Sequence, residues 1–265
     1  MRILVLVKDV PDTYADRRLD LETGLADREA SERVVDEIGE RALEVALRHA
    51  DEHPETEVVA MSMGAEPVAS SLRKALAMGA ARAVHVVDEA LLGADLVLTA
   101  EVLAAAARRT GFDLVIAGDQ STDGSGGVVP AMVAEFLDVA QATRLESVEL
   151  ADGTVSGIRA TDGGTARVTA ELPAVISITE RLPDPRFANF KGIMAAKKKP
   201  LETLSLADLD LDIDAADAAT ARSIMITISE RPPRSGGTKI TDEGDAGERL
   251  ATFLIENRLV ENRLA

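Results

Sequence analysis

"FDLVIAGDQSTDGSGGVVPAMVAEFLD", residues 112–138, contains the transition that decides the fold. Its first part is a short apolar run, typical of a strand buried on both faces of a parallel sheet. A polar, glycine-rich loop follows from Gly118, and the apolar periodicity after it indicates a helix that begins at Pro130 or slightly earlier. The order of strand, glycine-rich loop and helix predicts an α/β unit with a ligand site beyond the end of the strand.

The same alternation of strand and helix fills the sequence before this unit. Three more apolar runs predict strands, at 2–7, 57–63 and 81–87. Three segments with helical periodicity separate the predicted strands, at 31–52, 65–79 and 94–111. The first of these helices is predicted to be capped by Ser31 or Asp27, and the other two to end at Gly79 and Gly111. Repeated βα units predict a doubly wound, mostly parallel, Rossmann-like sheet.

The chain changes character after residue 138. Three β-rich segments follow, at 143–150, 154–160 and 165–171. Asp152-Gly153 and Gly163-Gly164 separate these segments, and such dipeptides are strong hairpin signals. A buried-type strand at 173–179 is predicted to rejoin the parallel sheet. The antiparallel strands are therefore interpreted as an insertion on the α/β body.

The C-terminal part of the chain has a third character. From Leu201 it is acidic, and a Pro/Gly/charged linker at 230–247 leads to a short amphipathic helix at 248–260. A linker and a terminal helix with little body of their own suggest an arm that reaches a partner. A tail that packs on its own domain is the alternative, and the pattern leaves both open.

The composition excludes several classes of function. Hydrophobic residues make up 46% of the chain but aromatic residues only 2%, so the core must be aliphatic. The formal net charge of −17, without a basic stripe, argues against nucleic-acid binding, because phosphate backbones are bound by clustered Lys and Arg. With no cysteine, a disulfide framework, a thiolate metal site and a cysteine nucleophile are excluded. His49, His53 and His85 share no ligand spacing, so no metal site is expected.

The apolar runs are also too short for a membrane protein. They fall far below the roughly 20 residues that a membrane helix needs. The first residues show no signal-peptide or transit-peptide pattern. A cytoplasmic protein without membrane insertion is therefore the expectation.

The glycine-rich loop is the first candidate site. Its glycines allow backbone N–H groups to converge on one point, its serines add hydroxyls, and the N-terminus of the following helix would face the same point. Such an arrangement suits a phosphate, although the loop matches neither the dinucleotide-binding nor the P-loop motif. A flexible connection is the alternative. The segments 6–12 and 62–67 follow other strands and would complete the pocket wall. The loop residues concerned are Gly118, Ser121, Gly124, Ser125, Gly126 and Gly127.

No catalytic constellation is evident in the sequence. There is no serine in a nucleophile elbow and no histidine with a partner acid. Asp119 and Asp123 are open to two interpretations, as acid/base or Mg²⁺ ligands or as turn-forming residues. A nucleotide-sized site without predicted catalytic residues indicates a binding or carrier protein.

"PRFANFKGIMAAKKKP", residues 185–200, departs from the acidic character of the chain. Four of the seven lysines fall here, beside the apolar Phe190, Ile193 and Met194. An apolar stretch next to concentrated positive charge is unexpected in an acidic protein, and its residues alone leave its purpose open.

The longer segment "ERLPDPRFANFKGIMAAKKKPLETLS", residues 180–205, resembles the signature of electron transfer flavoprotein β subunits. The resemblance extends to "VLVKDVPD" at 5–12, "RKALAMGAARAVHV" at 73–86 and "GDQSTDGSGGVVPAMVAEFLDVAQAT" at 118–143. It covers roughly residues 1–200. The resemblance implies a heterodimer with an α subunit and a redox-active FAD held mostly by that subunit.

The resemblance also implies an AMP without redox role, bound by this chain, or a second FAD in its place as in bifurcating members. Tyr14 would lie near the flavin ring. Many members carry an Asn-Pro-aromatic turn where residues 36–39 stand here, so an adenosine contact at that turn is not carried over. The implied nucleotide contacts are Leu6, Met63, Gly118, Gln120, Ser121, Asp123, Gly124, Ser125, Gly126, Gly127 and Val128.

For residues 183–199, called the docking segment below, the resemblance implies recognition of electron donors, with Phe190 at the tip. Acyl-CoA or other flavoprotein dehydrogenases would be the donors and a quinone oxidoreductase the acceptor. The lysines at 197–199 either steer the encounter or compensate a helix dipole. Residues 1–200 would form the nucleotide-binding domain and 201–265 an arm on the α subunit. The implied contacts are Pro185, Arg186, Phe190, Ile193, Met194 and Lys197.

Two other functions fit parts of the sequence. An ATP-using enzyme of the adenine nucleotide α-hydrolase-like fold would also place a glycine-rich loop near "LVKDVPD", at 6–12. The absence of cysteines, and of lysines near the loop, argues against it. A stand-alone nucleotide sensor of the universal-stress type would need a shorter chain.

Overall fold

The computed structural model describes residues 1–15, 17–151, 153–211, 222–233, 236–237, 239 and 241–260. The chain divides into two compact units, Met1–Ile228 and Ser229–Ala265. The strands are β1 Arg2–Leu6, β2 Asp9–Pro11, β3 Arg33–Val35, β4 Glu57–Met63, β5 Arg82–Val86, β6 Leu114–Gly118, β7 Ala140–Leu145, β8 Glu149–Ala151, β9 Thr154–Thr161, β10 Gly164–Glu171, β11 Ala174–Ile178 and β12 Leu201–Leu204. The helices are α1 Glu37–Glu52, α2 Ala69–Met78, α3 Leu96–Thr110, α4 Val129–Leu137, α5 Phe190–Ala196 and, in the second unit, α6 Ala246–Glu256.

A seven-stranded sheet forms the centre of the first unit. Its strand order is β12-β5-β4-β1-β6-β11-β7, and every neighbouring pair is parallel. The connections from β1 run toward β4 and β5 on one side, and the chain then returns to place β6 on the other side. In open α/β sheets, ligands bind at such a reversal, beyond the carboxyl ends of the strands. The predicted doubly wound, Rossmann-like fold is confirmed.

The alternation of side chains along the strands divides the core into two layers. Ile3 and Val5 of β1 pack in the layer that contains α1, α2 and α5, whereas Leu4 packs in the layer that contains α3 and α4. Successive residues of a strand point to opposite faces, so one apolar run supplies both layers. The largest fully buried side chains are almost all Leu, Ile and Val, as the aromatic-poor composition requires.

The start of the first long helix differs from the sequence prediction. α1 begins at Glu37 and is capped by Asp36, so the caps predicted at Ser31 or Asp27 are wrong. Val34 and Val35, assigned to this helix from their spacing, instead lie in β3, which pairs antiparallel with β2. β-branched residues favour strands. Pairing with β2 therefore outweighs the helical pattern, which Val34 and Val35 extend by only two residues.

The insertion is also smaller than predicted. Ala140–Leu145, overlapping the first β-rich segment, is β7, a parallel edge strand of the central sheet beside β11. Only β8, β9 and β10 form the separate antiparallel sheet. The predicted segment 143–150 overlaps both β7 and β8. Composition predicts a strand but not the strand with which it pairs. Gly153 follows β8 at the predicted hairpin, while Asp152 lies outside the described residues.

The α/β body continues past residue 200, where the sequence placed a domain boundary. Leu201–Leu204 is β12, paired parallel with β5 at the edge of the sheet. The acidic residues 212–221 and the terminal residues 261–265 lie outside the described part of the chain. In the second unit, α6 leaves Leu250, Phe253 and Ile255 at least 42% exposed. Among the described residues, no helix combines the length and apolarity needed to cross a membrane.

Candidate functional site

The carboxyl edge of the sheet gathers the residues that the sequence marked for a nucleotide. Leu6 at the end of β1 pairs with Ala117 of β6 and with Met61 of β4. The glycine-rich loop, residues 118–128, therefore begins beside the end of β1, and Met63 ends the strand on the other side of β1. Gln120, Gly124, Gly126 and Val128 of the loop are all exposed.

Lys8 lies against the glycine-rich loop, contrary to the expectation that no lysine is near it. Its Nζ is 2.7 Å from Oδ1 of Asp123 and 3.2 Å from Oγ of Ser121. Arg28 approaches the other carboxylate oxygen of Asp123 at 3.7 Å. Burial alone would raise the pKa of Asp123, but the hydrogen bonds from Lys8 and Ser121 outweigh it and lower that pKa. Sequence analysis missed this contact because Lys8 precedes Asp123 by 115 residues.

Asp36 ties the loop to the start of α1. One carboxylate oxygen accepts a hydrogen bond from the Ile38 N–H at 3.1 Å, which caps the helix. The other oxygen accepts from both the N–H and the hydroxyl of Thr122, at 2.7 and 2.9 Å. The Asp36 N–H donates to the carbonyl oxygen of Lys8 at 2.8 Å. This residue is only 3% exposed, and it joins three chain segments at the switch point of the sheet.

The backbone of the loop offers donors for an anion. A Cβ at Gly118 would lie 2.9 Å from Cγ2 of Ile38, so a glycine lets α1 approach the end of β6 closely. Ser125 and Gly127 have positive φ angles of 50° and 66°. The N–H groups of Gly126, Gly127 and Val128 donate to no acceptor within the described ranges, and α4 begins next without a side-chain cap. Free N–H groups at a helix N-terminus attract phosphate.

Asp119 is the buried acid of the site. It is 8% exposed, and within the part of the chain that the structure describes its Oδ1 has no hydrogen-bond partner. Burial raises the pKa of Asp119, and the charge of Glu180 raises it further; the N–H of Gln120 and the charge of Arg144 offset only part of this. A buried carboxylate with a raised pKa costs stability when it is ionised.

We expect Asp119→Asn to raise the melting temperature by about 2 °C at pH 7. A carboxyl whose folded pKa is raised loses stability as the pH rises from the unfolded pKa of about 3.9 through the folded pKa, and the amide removes this cost. The gain should therefore vanish near pH 3.5. Melting curves of both proteins between pH 3.5 and 8 test this, and an unchanged or lower melting temperature of the variant at pH 7 would contradict it.

The docking segment exposes apolar side chains at its tip. Phe190 is 80% exposed, and Ile193 and Met194 are about half exposed. Phe187, which the sequence analysis did not single out, is 96% exposed. The sequence did contain a signal for this residue, because Phe187 is an aromatic residue three positions before Phe190. Exposed apolar side chains grouped on one segment make it a candidate surface for another molecule.

Lys199 and Arg186 of this region are engaged inside the chain. Lys199 donates to the carbonyl oxygens of Leu76 and Ala80, at the end of α2, and burial lowers its pKa. For this lysine the helix-terminus interpretation fits, although the helix is α2 and not α5. The Arg186 guanidinium contacts Glu44 and Asp51, and these hydrogen bonds raise its pKa. Lys197 is the C-cap of α5 and is exposed.

Tyr14 stands apart from these contacts. Its side chain is 96% exposed, and its N–H donates to Oδ1 of Asp12 at 3.0 Å. Nearby, Arg17 donates to the carbonyl oxygen of Thr122 in the glycine-rich loop. Within the described residues, no three His, Asp or Glu side chains cluster in a way that would hold a metal ion.

Comparison with known proteins places these features in one family. The family model "Electron transfer flavoprotein domain" matches residues 23–209. The chain is 42% identical to the electron transfer flavoprotein subunit beta of Mycobacterium leprae (strain TN), over 97% of this chain and 99% of that protein. It is 34% identical to the caffeyl-CoA reductase-Etf complex subunit CarD of Acetobacterium woodii, over 91% and 92%. It is 33% identical to the electron transfer flavoprotein subunit beta of Bacillus subtilis (strain 168), over 82% and 84%.

Proposed function

The chain belongs to the electron transfer flavoprotein β-subunit family, and on that premise we propose that it is the β subunit of a heterodimeric, cytoplasmic electron carrier. Its partner is an α subunit that holds most of the FAD, and the flavin supplies reversible uptake of electrons when bound. This chain contributes a nucleotide site, part of the flavin surroundings near Tyr14 and the docking segment. It carries no catalytic residues of its own.

The observation that carries the proposal is the exposed aromatic surface of the docking segment, which lies on the same α/β body as the glycine-rich loop. An electron carrier must meet its donors and release them quickly, so a small contact with an apolar anchor and charge steering suits it. Phe190 and the cations Lys191, Lys197 and Lys198 supply both on a chain whose net charge is −17. The donors are acyl-CoA or other flavoprotein dehydrogenases, and the acceptor is a quinone oxidoreductase or another redox protein.

The glycine-rich loop fits an adenine nucleotide. The N–H groups of Gly126, Gly127 and Val128 and the start of α4 would bind the phosphate, while Lys8 neutralises the Asp123 carboxylate that would otherwise repel it. Met63 and Leu6 end the neighbouring strands and would line the nucleoside side of the site. AMP is the proposed occupant. A second FAD is the alternative, and it would turn the loop into part of a redox site.

The C-terminal region, residues 201–265, is proposed to bind the α subunit through the residues that follow β12 in the sequence. Support comes from α6, whose described side chains include no buried residue although Leu250, Phe253 and Ile255 are apolar. An exposed apolar helix face is a surface for a partner.

Quantifying the bound nucleotides tests the proposed function. The chain is co-expressed and co-purified with the α subunit, the complex is denatured, and the released nucleotides are separated by chromatography. One FAD and one AMP per heterodimer is the expected result. Two FAD would replace the plain carrier with the bifurcating type. ATP, or no flavin at all, would contradict the assignment and favour the ATP-using enzyme.

A further inference from the structure

Glu44 is a buried acid that the proposed nucleotide site does not use. It lies on α1, is 4% exposed and accepts four hydrogen bonds. Three come from Arg186: its N–H and Nε donate to Oε2 at 3.0 and 2.8 Å, and its Nη2 donates to Oε1 at 3.2 Å. Arg48, one turn further along α1, supplies the fourth at 2.9 Å. Burial alone would raise the pKa of Glu44, but the hydrogen bonds from Arg186 lower it, so the carboxylate is charged at neutral pH.

The Arg186 clamp, formed by Arg186, Glu44 and Asp51, fixes both the main chain and the side chain at this position. Asp51 contributes the outer contact, 2.8 Å from Nη2 of Arg186. Glu44 holds Arg186 through two contacts to the guanidinium and one to the backbone N–H. These contacts leave the Arg186 backbone and side chain little freedom in position or direction. The clamp therefore fixes the backbone position from which the Phe187 side chain extends.

The other side of the tip is fixed on α2. A Cβ at Gly192 would collide with the carbonyl oxygen of Ala77, so α5 lies directly on α2. Asn189 caps α5 by accepting from the Gly192 N–H at 2.8 Å. Arg73 donates to the carbonyl oxygen of Ala196 at 2.8 Å. Phe187 and Phe190 lie between these two fixed points, and both rings remain in solvent.

We propose that Glu44 is a positioning residue for partner docking, which acts through Arg186 to fix the position of Phe187, a second exposed aromatic anchor three residues before Phe190. This inference rests on the proposed function and extends it to the docking geometry. The occupant is a flavoprotein donor with an apolar pocket for two rings and an acidic rim, because the exposed Lys191, Lys197 and Lys198 follow the tip in the sequence. Holding two rings before contact lowers the entropy lost on binding.

The test uses the complete heterodimer with the α subunit and FAD. Its flavin is reduced by an acyl-CoA dehydrogenase and its substrate at several heterodimer concentrations, and separately by a small redox dye. Glu44→Gln should raise the KM for the heterodimer about tenfold with a much smaller change in kcat. Reduction by the dye should not change. Glu40→Gln is the matched control, because Glu40 lies on the same helix and pairs with Lys74 of α2, not with a residue of the docking segment.

A double-mutant cycle separates positioning from a loss of stability. If Glu44 acts through Phe187, Phe187→Ala combined with Glu44→Gln should raise KM by clearly less than the product of the single effects. Asp51→Asn removes only the exposed outer contact and should raise KM about threefold, which keeps the test available if Glu44→Gln folds poorly. Fully multiplicative effects, or a KM equal to that of Glu40→Gln, would overturn the positioning role. A wild-type heterodimer that takes electrons from the dye but from no dehydrogenase would overturn the proposed function itself.

Discussion

Phe190→Ala should slow electron transfer from a flavoprotein dehydrogenase to the heterodimer by roughly thirtyfold at low carrier concentration, because a central apolar anchor contributes about 2 kcal/mol to binding. The side chain is 80% exposed in the free chain, so its loss should leave the free energy of unfolding nearly unchanged. Bound FAD should also be unchanged. Stopped-flow reduction of the flavin by a dehydrogenase, with flavin content from the absorbance spectrum, measures both quantities.

A matched control shows whether any exposed apolar residue would have the same effect. Ile158 lies on β9 of the small antiparallel sheet and is 37% exposed, and no site is proposed there. Ile158→Ala should leave the rate of flavin reduction unaltered. An unaltered rate in Phe190→Ala would remove the anchor assignment, whereas an equal loss in both variants would point to a general defect of the chain.

Asp36→Ala should lose most of the bound adenine nucleotide and lower the free energy of unfolding by about 2–4 kcal/mol. The substitution removes the cap of α1 and leaves the half-buried Thr122 N–H without its acceptor. The glycine-rich loop then loses its tie to the start of α1, so its N–H groups should lose the arrangement proposed to bind phosphate. Nucleotide released from the denatured heterodimer and urea unfolding curves are the two measurements.

Asp88→Ala is the corresponding control. Asp88 also caps a helical turn, through the Ala90 N–H at 3.0 Å, and it also accepts from a distant backbone N–H, that of Leu206 at 3.2 Å. It should cost stability through the same two kinds of contact but leave the nucleotide bound. Full retention of nucleotide by Asp36→Ala would show that the loop does not depend on this carboxylate.

Local patterns sufficed for the inner strands of the central sheet, but not for its edge strands β7 and β12. The apolar runs of β1, β4, β5 and β6 are flanked by glycines and polar turns, and the glycines at 79 and 111 end α2 and α3 where the sequence placed them. Continuous apolar runs and helical periodicity are short-range signals, and the right-handed crossover rule then leaves few topologies. The carboxyl-edge location of the glycine-rich loop followed from that topology.

Contacts between distant positions could not be predicted from the sequence. Lys8 and Asp123, Asp36 and Thr122, and Glu44 and Arg186 are each separated by more than 80 residues, and nothing in their local sequence announces the pairing. Arg186 was among the partner contacts that the family resemblance implied, and its guanidinium is bound to Glu44 and Asp51 of α1. The sequence contains many acidic and basic residues that could pair with one another. Only the packed fold determines which of them come into contact.

The strand order determines how far the docking segment reaches across the sheet. Residues 179–200 leave the sheet at β11 and return at β12, five strand positions away, so they span about 24 Å over the layer of α1 and α2. The contacts that hold this span use Glu44, Arg73 and Asn189, none of which belongs to the exposed rings. The Phe187 and Phe190 rings are 96% and 80% exposed, so substitutions there should leave the packing of the sheet and of the helix layer nearly unchanged. On the proposed function, these two side chains would then set donor preference independently of the nucleotide site and the fold.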